Sequence, residues 1–305
     1  MKRMLVCLMI MLGLHSTYGQ DRIGKIGPIL FISFKVQSQG SPVSRKLFSM
    51  DEDGTNIKQI NVDSSKHVWD AKWLPDGKQI VIATDSVLII DANGNNAHYL
   101  HCFAKNIVLS PDGKKLAFDK WFGGHREPPF DVVRMNLDGS DEQILYLDYV
   151  NDWSPDGTTL IGSTINYDKD SAGRPVEHDI ITFFDQNGKM KRTWGQAGNS
   201  LQHPIYSTRG DRIAFISTKG GNWLGIYVMT ADGKADSVLT PKQYKFNQPV
   251  AWSPDDEKLL YNAGPAGINM YGKILVIDIH SKQVKDITPF NSDSSYSFAV
   301  GWKKK

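Results

Sequence analysis

Cysteine is nearly missing from this chain. Of 305 residues only Cys7 and Cys102 carry sulfur as a thiol, and Cys7 lies inside an apolar N-terminal run. The one remaining thiol makes no internal disulfide, and a sulfur-ligated metal cluster or a thiol relay needs a second. Cys102, near an apolar strand, reads as a small buried hydrophobe. Charge of one sign is equally scarce: 35 Lys and Arg against 33 Asp and Glu leave a formal +2. Without a basic stripe this excludes a nucleic-acid footprint, and Lys303-Lys304-Lys305 reads as a solvated terminus. The sequence has no H-x-x-x-H pair and no nucleophile motif from which to build a catalytic triad. Asp51-Glu52-Asp53-Gly54-Thr55-Asn56 and Asp91-Ala92-Asn93-Gly94-Asn95 resemble calcium loops, but each is one acidic position short before the glycine. No metal or other cofactor is expected.

The apolar run, residues 4–14, is too short to span a bilayer as a typical helix. Lys2-Arg3 precedes it, and Thr17-Tyr18-Gly19 puts small residues at −3 and −1 of a cleavage after Gly19. Residues 1–19 therefore read as a signal peptide. Val6 before Cys7 does not resemble a lipoprotein site. The expected product is exported, periplasmic or secreted, not membrane-spanning, and monomeric.

What is abundant is a five-residue phrase. Trp153-Ser154-Pro155-Asp156-Gly157 returns as Trp73-Leu74-Pro75-Asp76-Gly77 and Leu109-Ser110-Pro111-Asp112-Gly113. Tyr206-Ser207-Thr208-Arg209-Gly210 is degraded, and Trp252-Ser253-Pro254-Asp255-Asp256 loses the glycine. Proline presets φ at the second turn position, aspartate suits the third, and glycine supplies the left-handed fourth. Asp256 reads as mild damage, since aspartate tolerates that region better than most residues. Between these turns runs a second repeat, an apolar strand ending in Asp/Asn-Gly: Asp53-Gly54, Asn93-Gly94, Asp138-Gly139, Asn187-Gly188 and Asp232-Gly233. A sixth copy, at His280-Ser281, has lost its glycine. Such dipeptides between apolar runs are strong hairpin signals.

One unit is then four strands, a to d, read in one copy as residues 249–253, 258–262, 274–278 and 284–288. The anchors Trp73, Leu109, Trp153, Tyr206, Trp252 and Trp302 are spaced by 36 to 53 residues, the period of propeller blades. The expected fold is all-β: a six-bladed β-propeller of four-stranded blades, spanning residues 24–305. Trp302 ends a strand a with no b, c or d after it, while residues 29–34, 47–50 and 57–62 read as b, c and d with no a before them. The last blade should be closed by strands from both termini, leaving only short, protected edges.

Trp-Ser-Pro-Asp-Gly followed by an apolar strand and an Asp-Gly hairpin resembles the TolB-type propeller repeat, over residues 24–302. Leu239-Thr240-Pro241 and Ile287-Thr288-Pro289 add its Leu/Ile-Thr end of strand d. The same repeat occurs in propellers attached to prolyl oligopeptidase-like hydrolases and in some secreted lyases. The resemblance implies a TolB-like propeller lacking the TolB N-terminal domain, and neither that domain's role nor a Gly-x-Ser-x-Gly hydrolase is carried over. The matching residues shape turns and packing, so they specify architecture rather than activity.

Strand order puts the short a–b and c–d turns on one face and the variable b–c and d–a loops on the other, where binding residues are expected. The long b–c loops are read as 35–44, 120–130, 166–179, 218–224 and 263–272, with d–a loops at 195–202 and 291–295. In the second, Trp121, His125 and Arg126 combine aromatic and guanidinium anchors; alternatively Trp121 extends strand b. Around the entrance of the a strands sit His67, Trp69, Asp70, Tyr149, Asn151, Asp152, His203 and Gln248, a polar ring suited to a small ligand or a partner's side chain. Two functions follow. One is a non-catalytic scaffold binding a protein, peptide or envelope polymer. The other is a secreted metal-dependent polysaccharide lyase or hydrolase, with an ion near His67, His203 and Asp152 and further histidines at His101, His125 and His178.

Overall fold

The computed structural model describes residues 27–35, 44–62, 67–100, 103–121, 130–145, 147–169, 172–195, 199–219, 224–234, 236–264, 272–290 and 295–304. Within it the repeated phrase is a knot of its own hydrogen bonds. The Gly157 N–H donates to the Ser154 carbonyl at 2.8 Å. Ser154 Oγ donates to the Asp156 carboxylate at 2.5 Å and accepts the Thr159 N–H at 2.9 Å. Ser110 and Ser253 repeat both side-chain bonds. The serine hydroxyls hold the Asp112, Asp156 and Asp255 carboxyls below the usual carboxylate range. The turn is thus held by hydrogen bonds confined to residues 154–159.

Each knot joins strands a and b of a four-stranded antiparallel sheet, and there are six such sheets. The split blade holds β1 (Ile29–Lys35), β2 (Lys46–Met50) and β3 (Lys58–Gln59). Blade 1 is β4 (Asp70–Trp73), β5 (Gln79–Ala83), β6 (Val87–Asp91) and β7 (His98–Leu100). Blade 2 is β8 (Ala104–Leu109), β9 (Lys115–Trp121), β10 (Phe130–Asn136) and β11 (Gln143–Ile144). Blade 3 is β12 (Asp152–Trp153), β13 (Thr159–Lys169), β14 (Pro175–Asp185) and β15 (Met190–Trp194). Blade 4 is β16 (Leu201–Tyr206), β17 (Arg212–Ser217), β18 (Gly225–Thr230) and β19 (Asp236–Val238). Blade 5 is β20 (Phe246–Trp252), β21 (Lys258–Gly264), β22 (Lys273–Asp278) and β23 (Val284–Asp286). Finally β24 (Ser295–Trp302) is strand a of the split blade, paired antiparallel with β1 from Ile29↔Trp302 to Lys35↔Ser295. The expected closure is observed.

The core lies between blades. Six buried clusters each draw on two consecutive sheets, the last joining blade 5 to the split blade through Leu260, Ile274, Phe31 and Trp302. The a strands touch one another in ring order around the axis. Four of them break register at a β-bulge: between Lys105 and Val108, between Gln202 and Ile205, between Pro249 and Ala251, and opposite Leu30/Phe31.

Two readings are corrected. Residues 166–179 are not a loop. β13 and β14 run eleven residues each and pair from Thr159↔Asp185 to Lys169↔Pro175. The alternation Thr164-Ile165-Asn166-Tyr167 is itself a strand pattern. Asp256 is not damage either. It takes the left-handed conformation at φ +62, and its buried carboxylate accepts the N–H of Thr208 at 2.6 Å and of Arg209 at 2.9 Å in the neighbouring blade. Thr208 stands where the other turns have proline, which has no N–H to give. The two departures from the phrase complement one another.

Candidate binding site at the channel mouth

Bulges re-aim side chains, and two of them do so here at equivalent places. Asn106 and His203 each lie three residues before their anchors, Leu109 and Tyr206, with φ of +47 and +51. Non-glycine residues hold that conformation at a cost of roughly 1–2 kcal/mol.

His203 is the centre of the better-built half. The Asn151 Nδ2 amide, from blade 3, and the Gln248 Nε2 amide, from blade 5, lie 3.4 and 3.3 Å from His203 Nδ1. With the amides oriented this way, the single Nδ1 lone pair is the acceptor that both long contacts share. Burial lowers the imidazole pKa to about 4, against the opposing pull of Asp179. The ring is therefore neutral at physiological pH. Beside it, Gln202 Nε2 donates to Asp179 Oδ2 at 2.5 Å, and Asn151 Oδ1 is buried with no hydrogen-bond partner.

The other half was not foreseen. Asn106 Nδ2 donates to Asp119 Oδ2. Burial raises the Asp119 pKa to about 6, with Asn106 and Lys105 pulling it down and Asp70 pushing it up. Trp69 carries the Arg45 guanidinium 4.5 Å and the Lys105 ammonium 4.7 Å from its ring centre. The signal for Asn106 was its shared offset with His203, visible only once both anchors are aligned.

The remaining candidates have structural duties. Asp70 Oδ1 accepts the Ala71 N–H at 2.8 Å and Lys72 Nζ at 3.0 Å, while Oδ2 accepts the Ile107 N–H of blade 2 at 2.8 Å. Asp152 does likewise, taking the Trp153 N–H and, in blade 4, the Tyr206 N–H, both at 2.8 Å. Burial raises its pKa, opposed by Lys304 and Lys72. Both aspartates thus clasp adjacent inner strands. His67 stacks at a tilt 6.1 Å from Trp69, and Tyr149 is half exposed. Trp121 ends β9, so the strand-extension reading holds for its backbone. His125, Arg126 and His101 lie outside the described residues. His178 is buried in blade 3, 3.3 Å from Asp168, away from His203. His67, His203 and Asp152 do not form one ligand set. Among the described residues no three His, Cys, Asp or Glu gather at metal-binding spacing.

These features define a class: a closed six-bladed propeller with a polar channel mouth and a uniform opposite face. More particularly, the fold is the TolB-type propeller. TolB from Acinetobacter baumannii superposes with a TM-score of 0.68 at 18% identity, covering 91% of this chain and 67% of that one. A putative TolB from Agrobacterium tumefaciens gives 0.62 at 15%, covering 91% and 99%. An oligogalacturonate lyase in complex with manganese gives 0.54 at 13%, covering 81% and 71%. In sequence, the uncharacterized peptidase YuxL of Bacillus subtilis (strain 168) is 30% identical over 110 residues. That stretch is 35% of this chain and only 16% of YuxL. No protein-family model matches the sequence.

Proposed function

We propose that this protein is an exported, monomeric, non-catalytic propeller that binds a protein, peptide or envelope polymer at the mouth of its channel, with residues 1–19 as its signal peptide. The observation that carries this reading is the meeting of Asn151, His203 and Gln248, from three blades, on one uncharged imidazole. The neutral ring shares its Nδ1 with two amides, and the buried Asn151 Oδ1 beside it lacks a partner. A buried, unpartnered acceptor on a rigid scaffold is recognition chemistry. The TolB-type fold is compatible with that role and does not by itself assign it.

The test is a pull-down from envelope extracts with the wild-type chain and with His203→Ala, both checked for folding by thermal melting. The reading expects a partner captured by the wild type and lost with the variant. Turnover of a polysaccharide or peptide, with a stoichiometric metal and a melting temperature lowered by chelator, would instead establish the metal-dependent lyase or hydrolase.

A further inference from the structure

Trp194, the last residue of β15, is held from two sides. Its Nε1–H donates to the Gly233 carbonyl at 3.1 Å, and its ring meets that of Phe215 edge-on, with centres 5.3 Å apart. Gly233 has φ +78, and a Cβ there would lie 2.7 Å from Trp194 Cδ1. Only glycine lets the turn and the indole sit so close. The indole thereby forms a fixed wall of a cavity of about 150 Å³ between the outer strand of blade 3 and blade 4. Asn199, Leu201, Ser217, Lys219, Gly233 and Lys234 complete the lining. None of Asn151, His203 and Gln248 takes part in it.

The lining is rich in donors. Ser217 is buried, 1% exposed. Its Oγ accepts the Lys219 N–H at 3.1 Å, which leaves the hydroxyl proton to give. The Asn199 amide makes no hydrogen bond to any described residue. Lys234 Nζ lies 2.8 Å from Asp232 Oδ2, and an ammonium has two further N–H groups to offer. Lys219 brings a second ammonium. Arg192, two residues before Trp194, adds a third cation nearby, its guanidinium donating to the Ala231 carbonyl at 2.7 Å. Against these stand Asp232 and Asp179 on the flanking segments. Asp232 accepts the Thr230 hydroxyl at 2.6 Å as well as Lys234, and Asp179 accepts the Gln202 amide at 2.5 Å. Among the described residues no carboxylate lines the cavity, and two lysines do.

We propose that this cavity binds a small organic carboxylate, its apolar body against Trp194 and Leu201 and its anionic end met by Lys219, Lys234 and the Ser217 hydroxyl. A volume of about 150 Å³ holds a body the size of benzene. An apolar, aromatic wall with a few convergent polar groups is the make-up of a small-molecule pocket. Charge-assisted N–H···O bonds are stronger than neutral ones, so the lysines favour the ionised acid over its uncharged isostere. The cavity shares no residue with the Asn151–His203–Gln248 cluster, so the proposal stands apart from the reading of the channel mouth.

The probe is benzoate, titrated into the full chain by calorimetry, with benzamide as the uncharged isostere and inorganic phosphate as an anion without an apolar body. The proposal expects benzoate to bind about tenfold more tightly than either. Lys219→Met and Lys234→Met should each weaken benzoate about threefold or more, and the double variant should weaken it further. Both lysines are exposed, so matching melting curves confirm that the variants fold. Equal affinity for benzoate and benzamide, or for benzoate and phosphate, overturns the proposal. So does an absence of benzoate binding at millimolar concentration, or binding that the double lysine variant retains in full. The His203→Ala chain should still bind benzoate; loss of binding there would transfer the ligand to the channel mouth and overturn the cavity while leaving that other reading in place.

Discussion

Asp256 turns an apparent defect into a joint between blades. Restoring the repeat with Asp256→Gly relieves a left-handed backbone, a gain of roughly 1 kcal/mol. It also removes the acceptor of two inter-blade N–H donors, and hydrogen bonds to a charged group contribute about 1.5–3 kcal/mol each. The consensus residue should therefore destabilise by about 2 kcal/mol in urea unfolding. Thr208→Pro, also a return to consensus, should destabilise as well. The double variant should cost less than the sum, because the two share one interaction. His203 and Asp119 contribute to the response to pH with opposite signs. His203 has its pKa lowered to about 4, so between roughly pH 4 and 6.5 the unfolded chain holds the extra proton and acid weakens the fold. Asp119 has its pKa raised to about 6, so between roughly pH 3.8 and 6 the folded chain holds the extra proton and acid strengthens the fold. The two slopes oppose. Relative to wild type, Asp119→Asn should lose stability on going from pH 6.5 to 4.5, and His203→Gln should gain it. Urea midpoints at the two pH values check both signs.

At the scale of the element, the turns were legible because their hydrogen bonds are local. The serine and aspartate bonds recur at Ser110, Ser154 and Ser253, and the backbone bond that closes the turn recurs in all five copies, so the blades could be counted from sequence. The β13–β14 hairpin was read as a loop because the gap between two turn signals was long, although Tyr167 and its neighbours alternate as a strand does. The channel mouth was only partly legible. His203 and Gln248 were expected near the entrance of the a strands, and their side chains do meet; Asn106 and Asp119 meet through a bulge, and a one-residue bulge leaves no mark in composition. The structural bonds of Asp70 and Asp152 were hidden for a related reason: their N–H donors come from the next blade, tens of residues away. Beyond Ser163 and Ile181 the β13–β14 hairpin still buries His178 and holds the Gln202 amide through Asp179. Replacing residues 164–180 by a two-residue Asn-Gly turn should leave a cooperatively unfolding propeller with a lowered melting temperature, since it removes buried His178 and the Asp179–Gln202 bond while sparing the inter-blade clusters. A loss of cooperativity in calorimetry would show that the buried His178 side is part of the core.

For the whole molecule the decisive contact is the one between β1 and β24, which converts a row of sheets into a ring. Ile29, Leu30, Phe31 and Ile32 are fully buried there, packed between blades that are distant in sequence. Opening that seam exposes two strand edges and two inter-blade clusters at once, whereas opening any other blade breaks a sheet held together by hairpins. The seam is therefore where unfolding should begin. Ser33 and Ser297 are register partners across it, with their Oγ atoms 3.1 Å apart and buried. Cysteines at both positions, with Cys7 and Cys102 changed to alanine, would close a loop of more than 260 residues. In the chain-entropy model such a bridge stabilises by about 5 kcal/mol. More telling is the kinetics: if the seam opens first, the oxidised form should unfold at least ten times more slowly than the reduced form of the same variant, while folding of the reduced form is unchanged. If oxidation raises the melting temperature but leaves the unfolding rate alone, the rate-limiting opening lies in another blade, and the ring is held by its inter-blade cores rather than by its closing strands.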